Sequence, residues 1–430
     1  MNTYSSYKDS GIEWIGEIPS EWECLRGRFL FENKKIINKE FQCENLLSLT
    51  LFGVLNKNME SHKGLRPSNY KTYQLFEKDD LVFKLIDLEN VKTSRVGLVH
   101  ENGIMSPVYI RLEPNKNSHS KYNYYYFYDL YKKEIFNFLG SGVRSSLSPS
   151  DLLEIEVPVP PLHEQQQISD YLDYKTSKID ILIEKTEQKI ELLKEQRTSL
   201  INTTVTKGLN PNVEMKDSGV EWIGEIPVEW DTTQIKFICK MMRGKFSHRP
   251  RNDQRFYDGE YPFIQTGDIS STGMYLTKFN QTLNERGFSV SKEFPIDTVV
   301  MTIAANIGDV SILKIRSCFP DSIIGFHPYH DMSVKYLYYI LTSLKDELHK
   351  NSTVSTQMNL NVERVGSIKI PLSTVQEQQQ IVDYLDKETL RIDKLVDIES
   401  KRIDLLKEYR QSLISEVVTG KVDVRDEVLV

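Results

Sequence analysis

The sequence predicts an α+β protein. Two mixed α/β domains are separated by an antiparallel coiled coil of two long helices, with a pseudo-two-fold relation between the halves. Three observations carry this. Tyr7–Glu23 reads YKDSGIEWIGEIPSEWE, and Met215–Asp231 repeats it as MKDSGVEWIGEIPVEWD, 208 residues on. EQQQI at Glu164–Ile168 returns at Glu377–Ile381, at an offset of 213. At that offset YLD, LLKE and Ser-Leu-Ile also recur, at 171–173, 192–195 and 199–201 and again at 384–386, 405–408 and 412–414. Lastly, each second block lies in a stretch of about 44 residues free of Pro and Gly, long enough for a helix of roughly 66 Å. A period near 210 residues is too long for a solenoid and marks duplication of a whole domain.

In chain order, the expected parts are a globular domain (1–158), a long helix (159–208), a second globular domain (209–371), a second long helix (372–422) and a tail (423–430). Pro160-Pro161 and Pro371 precede the helices, and Gly208 and Gly420 follow them, as start and stop signals. The first helix carries an apolar stripe at Ile168, Leu172, Ile179, Leu182, Ile190, Leu193 and Leu200. The second carries Ile381, Leu385, Ile392, Leu395, Ile403, Leu406 and Leu413. Spacings of three, four and seven dominate, with one extra residue between Leu182 and Ile190, so the stripe is close to a heptad seam. A lone helix of this length cannot bury such a stripe, and the other copy is the obvious partner. A parallel pair would force the second globular domain to bridge about 66 Å. An antiparallel pair brings that domain's two ends together.

The globular domains mix short β-like runs (Asp80–Phe83, Val108–Leu112, Thr298–Ile303) with aromatic-rich helical stretches at Tyr122–Phe138 and Val334–Leu348. Their interiors diverge although their borders match. Net charge is −7 and 27% of residues are charged. That average does not favour nucleic acid, but binding depends on local patches. Lys236–Arg255 holds seven basic residues against one acid, Asp253. No run of 18 apolar residues suggests a membrane span, and no signal peptide is visible. Cys24, Cys43, Cys239 and Cys318 are scattered singly and read as free thiols in a reducing cytoplasm.

Catalytic patterns are weak. Phe138–Gly142 (FLGSG) formally matches a glycine motif that cradles a methyl-donor cofactor, but no convincing strand precedes it and no Asn-Pro-Pro-aromatic or Asp-Pro-Pro-aromatic motif accompanies it. No phosphate-cradling G-x-x-x-x-G-K-[ST] occurs. Pro320-Asp321 lacks the Glu/Asp-x-Lys a nuclease would need, and His327 and His330 form an isolated pair without further ligands. A fused methyltransferase or nuclease is therefore disfavoured. A purely structural coiled-coil adaptor without DNA readout is the alternative from another class. It leaves unexplained the basic clustering and the unlike interiors of the two domains.

The twin WIGEIPxEW openings, the VPVPPLHEQQQI junction (Val157–Ile168), the ID…LLKE…SLI…VT helices and the closing Val418–Lys421 resemble the specificity (S) subunit of type I restriction-modification systems over essentially the full chain. YPFIQTGDIS (Tyr261–Ser270), MTIAANIGDVSIL (Met301–Leu313) and CFPDSIIGF (Cys318–Phe326) resemble a recurrent type of target recognition domain. The second junction, IPLSTVQEQQQI, departs from the Pro-Pro form. The resemblance implies a non-catalytic protein. Each globular domain would read one half of a bipartite double-stranded DNA target, and the helices would set the spacer. The helices would also dock two methyltransferase (M) subunits, joined by restriction/translocase (R) subunits. No cofactor is expected on this chain; S-adenosylmethionine, ATP and Mg would belong to the partners.

Side chains suited to phosphates and base edges are candidates for contact. In the first domain they are Lys57, Lys63, Arg66, Lys92, Arg95 and Arg144, with Ser145 and Ser146. In the second they are Arg243, Lys245, Arg249, Arg251 and Arg255, with Gln265, Thr266, Gln357 and Asn359.

Overall fold

The computed structural model describes residues 2–57, 70–88, 94–140, 146–329, 332–353 and 360–427. The chain divides into two compact units, Met1–Glu187 with Ser400–Val430, and Gln188–Glu399. Each unit therefore takes half of each long helix.

In the first unit, Tyr7–Asp9 pairs antiparallel with Glu17–Pro19. The hairpin leads to Trp22, fully buried, whose Nε1 donates to Glu164 Oε1 at 3.2 Å. Strand Glu23–Arg26 then pairs antiparallel with Glu156–Val159, so the domain opens and closes at one place. Between them lies a four-stranded sheet in the order Phe31–Glu32, Ile110–Pro114, Leu81–Phe83, Val96–Leu98. Against it packs helix α1 (Ser120–Lys132), whose Tyr122, Tyr126 and Phe127 are buried. His119 caps α1, its side chain accepting from the Tyr122 N–H.

The second unit repeats the frame. Met215–Asp217 pairs with Glu225–Pro227, Trp230 Nε1 donates to Glu377 Oε2 at 3.1 Å, and Asp231–Gln234 pairs with Lys369–Leu372. Its interior differs. The main sheet has five strands, in the order Cys239–Arg243, Ile323–Pro328, Val299–Thr302, Val310–Leu313, Tyr275–Leu276, the last pair parallel. One sheet face packs on an aromatic helix through Val299, Met301, Ile312 and Phe326. The other is covered through Val300, Leu313 and Ile323 by Ile264, Ile269 and Phe319. Alternation along the strands sends successive residues to opposite faces, so both are apolar.

The long helices are α2 (Leu162–Lys207) and, after the aromatic helix α3 (Val334–Ser343), α4 (Val375–Val418). In the first unit, Arg410 Nε of α4 lies 2.9 Å from Asp180 Oδ1 of α2. In the second, Arg197 Nε of α2 lies 2.9 Å from Asp393 Oδ1 of α4. The lower-numbered half of one helix thus meets the higher-numbered half of the other, and the pair is antiparallel. The aromatic helices are tied down in the same way in each unit. Lys121 and the Tyr125 hydroxyl meet Asp173, and Lys335 and the Tyr339 hydroxyl meet Asp386.

The expected seam needs one correction. Ile168, Leu172, Ile179, Ile190, Ile381, Leu385, Ile392, Ile403 and Leu413 are buried, and Leu193, Leu200 and Leu406 are half-buried. Leu182 and Leu395, at equivalent positions, are 42% and 36% exposed. Ile183 and Val396 turn inward instead, partly buried, followed by buried Thr186 and Glu399. The true series 179-183-186-190 has spacings of four, three and four. The apparent extra residue vanishes, and the heptad is regular. Glu399, the charged member of this seam, is met by Lys189.

Candidate nucleic-acid interface

In the second domain, strand Cys239–Arg243 ends where strand Ile323–Pro328 begins, with Arg243 opposite Ile324. The two loops beyond, 244–253 and 319–322, lie at the sheet end opposite the one near Ile238, where the first strand starts. They are stitched together by backbone. The Gly244 N–H donates to Ile323 O at 2.9 Å and the Lys245 N–H to Phe319 O at 3.0 Å. A Cβ on Gly244 would stand 2.1 Å from Pro320 O, so only glycine permits this approach.

This end carries the basic cluster, and Arg243, Lys245, Arg249, Arg251 and Arg255 are all exposed. Three of the arginines converge on Asp321. Arg243 Nε donates to its carbonyl at 2.6 Å, Arg251 Nη2 binds carboxylate Oδ1, and Arg249 Nη2 stands 3.5 Å from Oδ2. Arg249 is also fixed from within, its Nη1 donating to Phe246 O at 2.7 Å and His248 O at 2.8 Å. Arg255 pairs with Asp253 at 2.6 Å and holds that carboxyl well below the usual carboxylate range. His248, stacked on Phe256 with centroids 3.9 Å apart, also reaches Asp253. Beneath them a small aromatic core of Phe246, Tyr257 and Phe263 stiffens the loops.

Gln265 and Thr266 sit at the start of a short helix. Gln265 caps that helix with Asp268, and its Nε2 donates to Gln281 Oε1 at 2.8 Å. Its amide is therefore already engaged within the domain.

In the first domain, Lys57 is exposed just past strand Gly53–Asn56, and Ser146 is half-buried. Arg95 is not a surface residue. It is 2% exposed, and its guanidinium donates to the carbonyls of Ile86 at 3.2 Å and Asp87 at 2.7 Å. This is a correction: as placed, Arg95 braces the 84–87 turn. Lys63, Arg66, Lys92, Arg144, Ser145, Gln357 and Asn359 lie outside the described residues.

Sequence reasoning missed two features. One is the acid at the centre of the arginines, which stands some 70 residues from them in the chain. The other is the hairpin tip Leu51-Phe52, where Phe52 is 89% exposed. The first had a signal, an acid in a stretch otherwise apolar and small (CFPDSIIGF), but spacing cannot pair it with Arg249 and Arg251. Among the described residues, no group of three or more His, Cys, Asp or Glu is placed to hold a metal ion. No described helix is long and apolar enough to cross a membrane.

A frame built twice around two unlike domains, one with arginines mounted on a stitched loop pair, defines a duplicated recognition scaffold. The chain belongs to the type I restriction modification DNA specificity domain family, which it matches twice, over residues 19–192 and 227–408. It is similar to the MjaX specificity subunit of Methanocaldococcus jannaschii, 26% identical with 96% of each chain covered. The MjaVIII specificity subunit of that organism is 25% identical, with 76% of each covered. The EcoR124I/EcoR124II subunit of Escherichia coli is 22% identical, covering 52% of this chain and 58% of that one. Among solved structures, the fold resembles a chain from a type I R-M system (TM-score 0.67, 16% identity, 94% of this chain and 99% of that one). It also resembles the HsdS subunit from Thermoanaerobacter tengcongensis (TM-score 0.52, 14% identity, 98% and 100%).

Proposed function

We propose that this chain is the sequence-reading subunit of a type I restriction-modification complex, each globular domain reading one half of a bipartite double-stranded DNA target. The helices α2 and α4 fix the gap and dock two methyltransferase subunits, which restriction/translocase subunits join. The chain performs no chemistry itself; S-adenosylmethionine, ATP and Mg act on the partner subunits, in the cytoplasm. One observation carries this reading. The frame is copied down to single contacts (Trp22–Glu164 and Trp230–Glu377, Asp180–Arg410 and Asp393–Arg197), while one domain holds a four-stranded sheet and the other a five-stranded one. Identical frames suit identical partners, and unlike interiors suit unlike half-sites. Leu192 and Leu405, at equivalent positions on the two helices, are each 64% exposed and suit two copies of one partner.

The test is to co-express the chain with its methyltransferase and map methylated bases across a genome. An asymmetric two-part motif with a fixed gap is expected. A contiguous motif, or none, would overturn the reading.

A further inference from the structure

Asp321 is an acid on a surface that, on the reading above, faces phosphates. A carboxylate there repels the ligand unless it does something else. It is not needed to hold its loop in place. Gly244 and Lys245 already bind the 319–323 backbone, and Arg243 binds the Asp321 carbonyl rather than the carboxylate. The carboxylate is left to the two guanidiniums, one oxygen to each.

The two arginines are not equivalent. Arg249 is tied to its own loop, with two backbone carbonyls on Nη1 and Asp321 near Nη2, although its side chain is 53% exposed. Among the described residues, Arg251 is held at two points. Its carbonyl accepts from the Tyr257 hydroxyl, and its Nη2 binds Asp321. Among the described residues its Nε and Nη1 have no acceptor, and its side chain is about half exposed. A guanidinium is a planar fork. Holding Nη2 on Asp321 uses one of its two N–H groups and leaves the other beside an unpaired neighbour, Nε or Nη1. An adjacent pair of donors of this kind is what bidentate recognition of guanine O6 and N7 in the major groove requires. The hold on Asp321 also spares the rotamer entropy that a free arginine loses on binding.

We propose that Arg251 reads a guanine within the half-site of the second domain, and that Asp321 is the positioning residue that aims it. Arg249 shares the Asp321 carboxylate and ties it to its own loop through the Phe246 and His248 carbonyls. This rests on the DNA-reading function proposed above.

The experiment uses the full chain assembled with its methyltransferase. Binding is measured on a panel of duplexes in which each base pair of both half-sites is varied, alongside thermal unfolding. The unmodified protein should show preference at every read position; a flat profile would sink the DNA-reading function itself, not this assignment. Asp321→Asn and Arg251→Lys should each flatten preference at the same single G·C pair, by about 10-fold, within the roughly 5- to 150-fold range of a bidentate contact. The half-site of the first domain should be unchanged, and Asp321→Glu should restore part of the preference. Arg251→Lys keeps the charge and does not touch the loop stitching, so it decides the matter even if Asp321→Asn unfolds. Uniform weakening on all sequences would make Arg251 a phosphate contact and overturn the proposal. So would loss of preference at different positions in the two variants, or a profile that neither variant alters.

Discussion

At the residue scale, burial decides what a charge can do. Asp80 and Arg111 are both buried in the first domain and lie 2.6 Å apart. Burial pushes the Asp80 carboxyl up to about 6, against the pull of the Glu77 backbone N–H and of Arg111. Arg111 also has Glu77 at 3.7 Å and Glu113 at 3.6 Å, whereas the cation paired with Asp80 is Arg111. Arg111→Met is therefore expected to destabilise the first domain by about 3–5 kcal/mol in urea unfolding, while Asp80→Leu with Arg111→Met should lose much less. The exposed basic residues behave oppositely. Changing Lys245 and Arg255 together to Ala should weaken DNA binding and flatten its salt dependence, since each phosphate contact contributes about 0.9 to the slope of log K against log salt. An unchanged slope would remove both from the phosphates. Arg95 shows why sequence could not separate these classes. In a one-dimensional string Arg95 and Arg251 are both basic residues near Ser or Pro. Only the fold shows one swallowed by carbonyls and the other presented to solvent.

At the element scale, the long helices were legible because their period is written in the chain and twice over. The error at Leu182 and Leu395 is instructive. A leucine outranks a β-branched neighbour when apolar residues are picked by eye, yet the regular four-three alternation selects Ile183 and Val396. Ile183→Ala should therefore cost about 1–3 kcal/mol in thermal or chemical unfolding, and Leu182→Ala less than about 0.5 kcal/mol. Equal losses would restore the first stripe. The strands were less legible. Those of the second domain's main sheet run two to six residues, and their order is set by crossovers that join segments some 80 residues apart. Periodicity carries no information about which short apolar run pairs with which, so the borders of the domains could be read and their sheet order could not.

At the scale of the whole molecule, the proposed ruler has a length test. Four residues of α-helix add about 6 Å, roughly two base pairs at 3.4 Å each. Inserting four residues into α2 should lengthen the gap in the methylated motif by about that much and leave both half-sites unaltered. A changed half-site would show that reading and spacing are not separate. The division of labour was visible in the chain as matched borders around unmatched interiors. What the interiors read was not visible, because contacts such as Asp321 with Arg251 are made only when distant loops meet.

The antiparallel pairing also dictates when the molecule can finish folding. Asp180 waits for Arg410, which is 230 residues away. During synthesis the apolar stripe of α2 emerges long before α4 exists to cover it. Pairing of Asp231–Gln234 with Lys369–Leu372 shortens the wait in space though not in time, by closing the intervening domain into a single knot at the mouth of the helices. Until the last turn of α4 leaves the ribosome, the nascent chain carries an uncovered greasy rod. Its yield should depend on what is present to shield it.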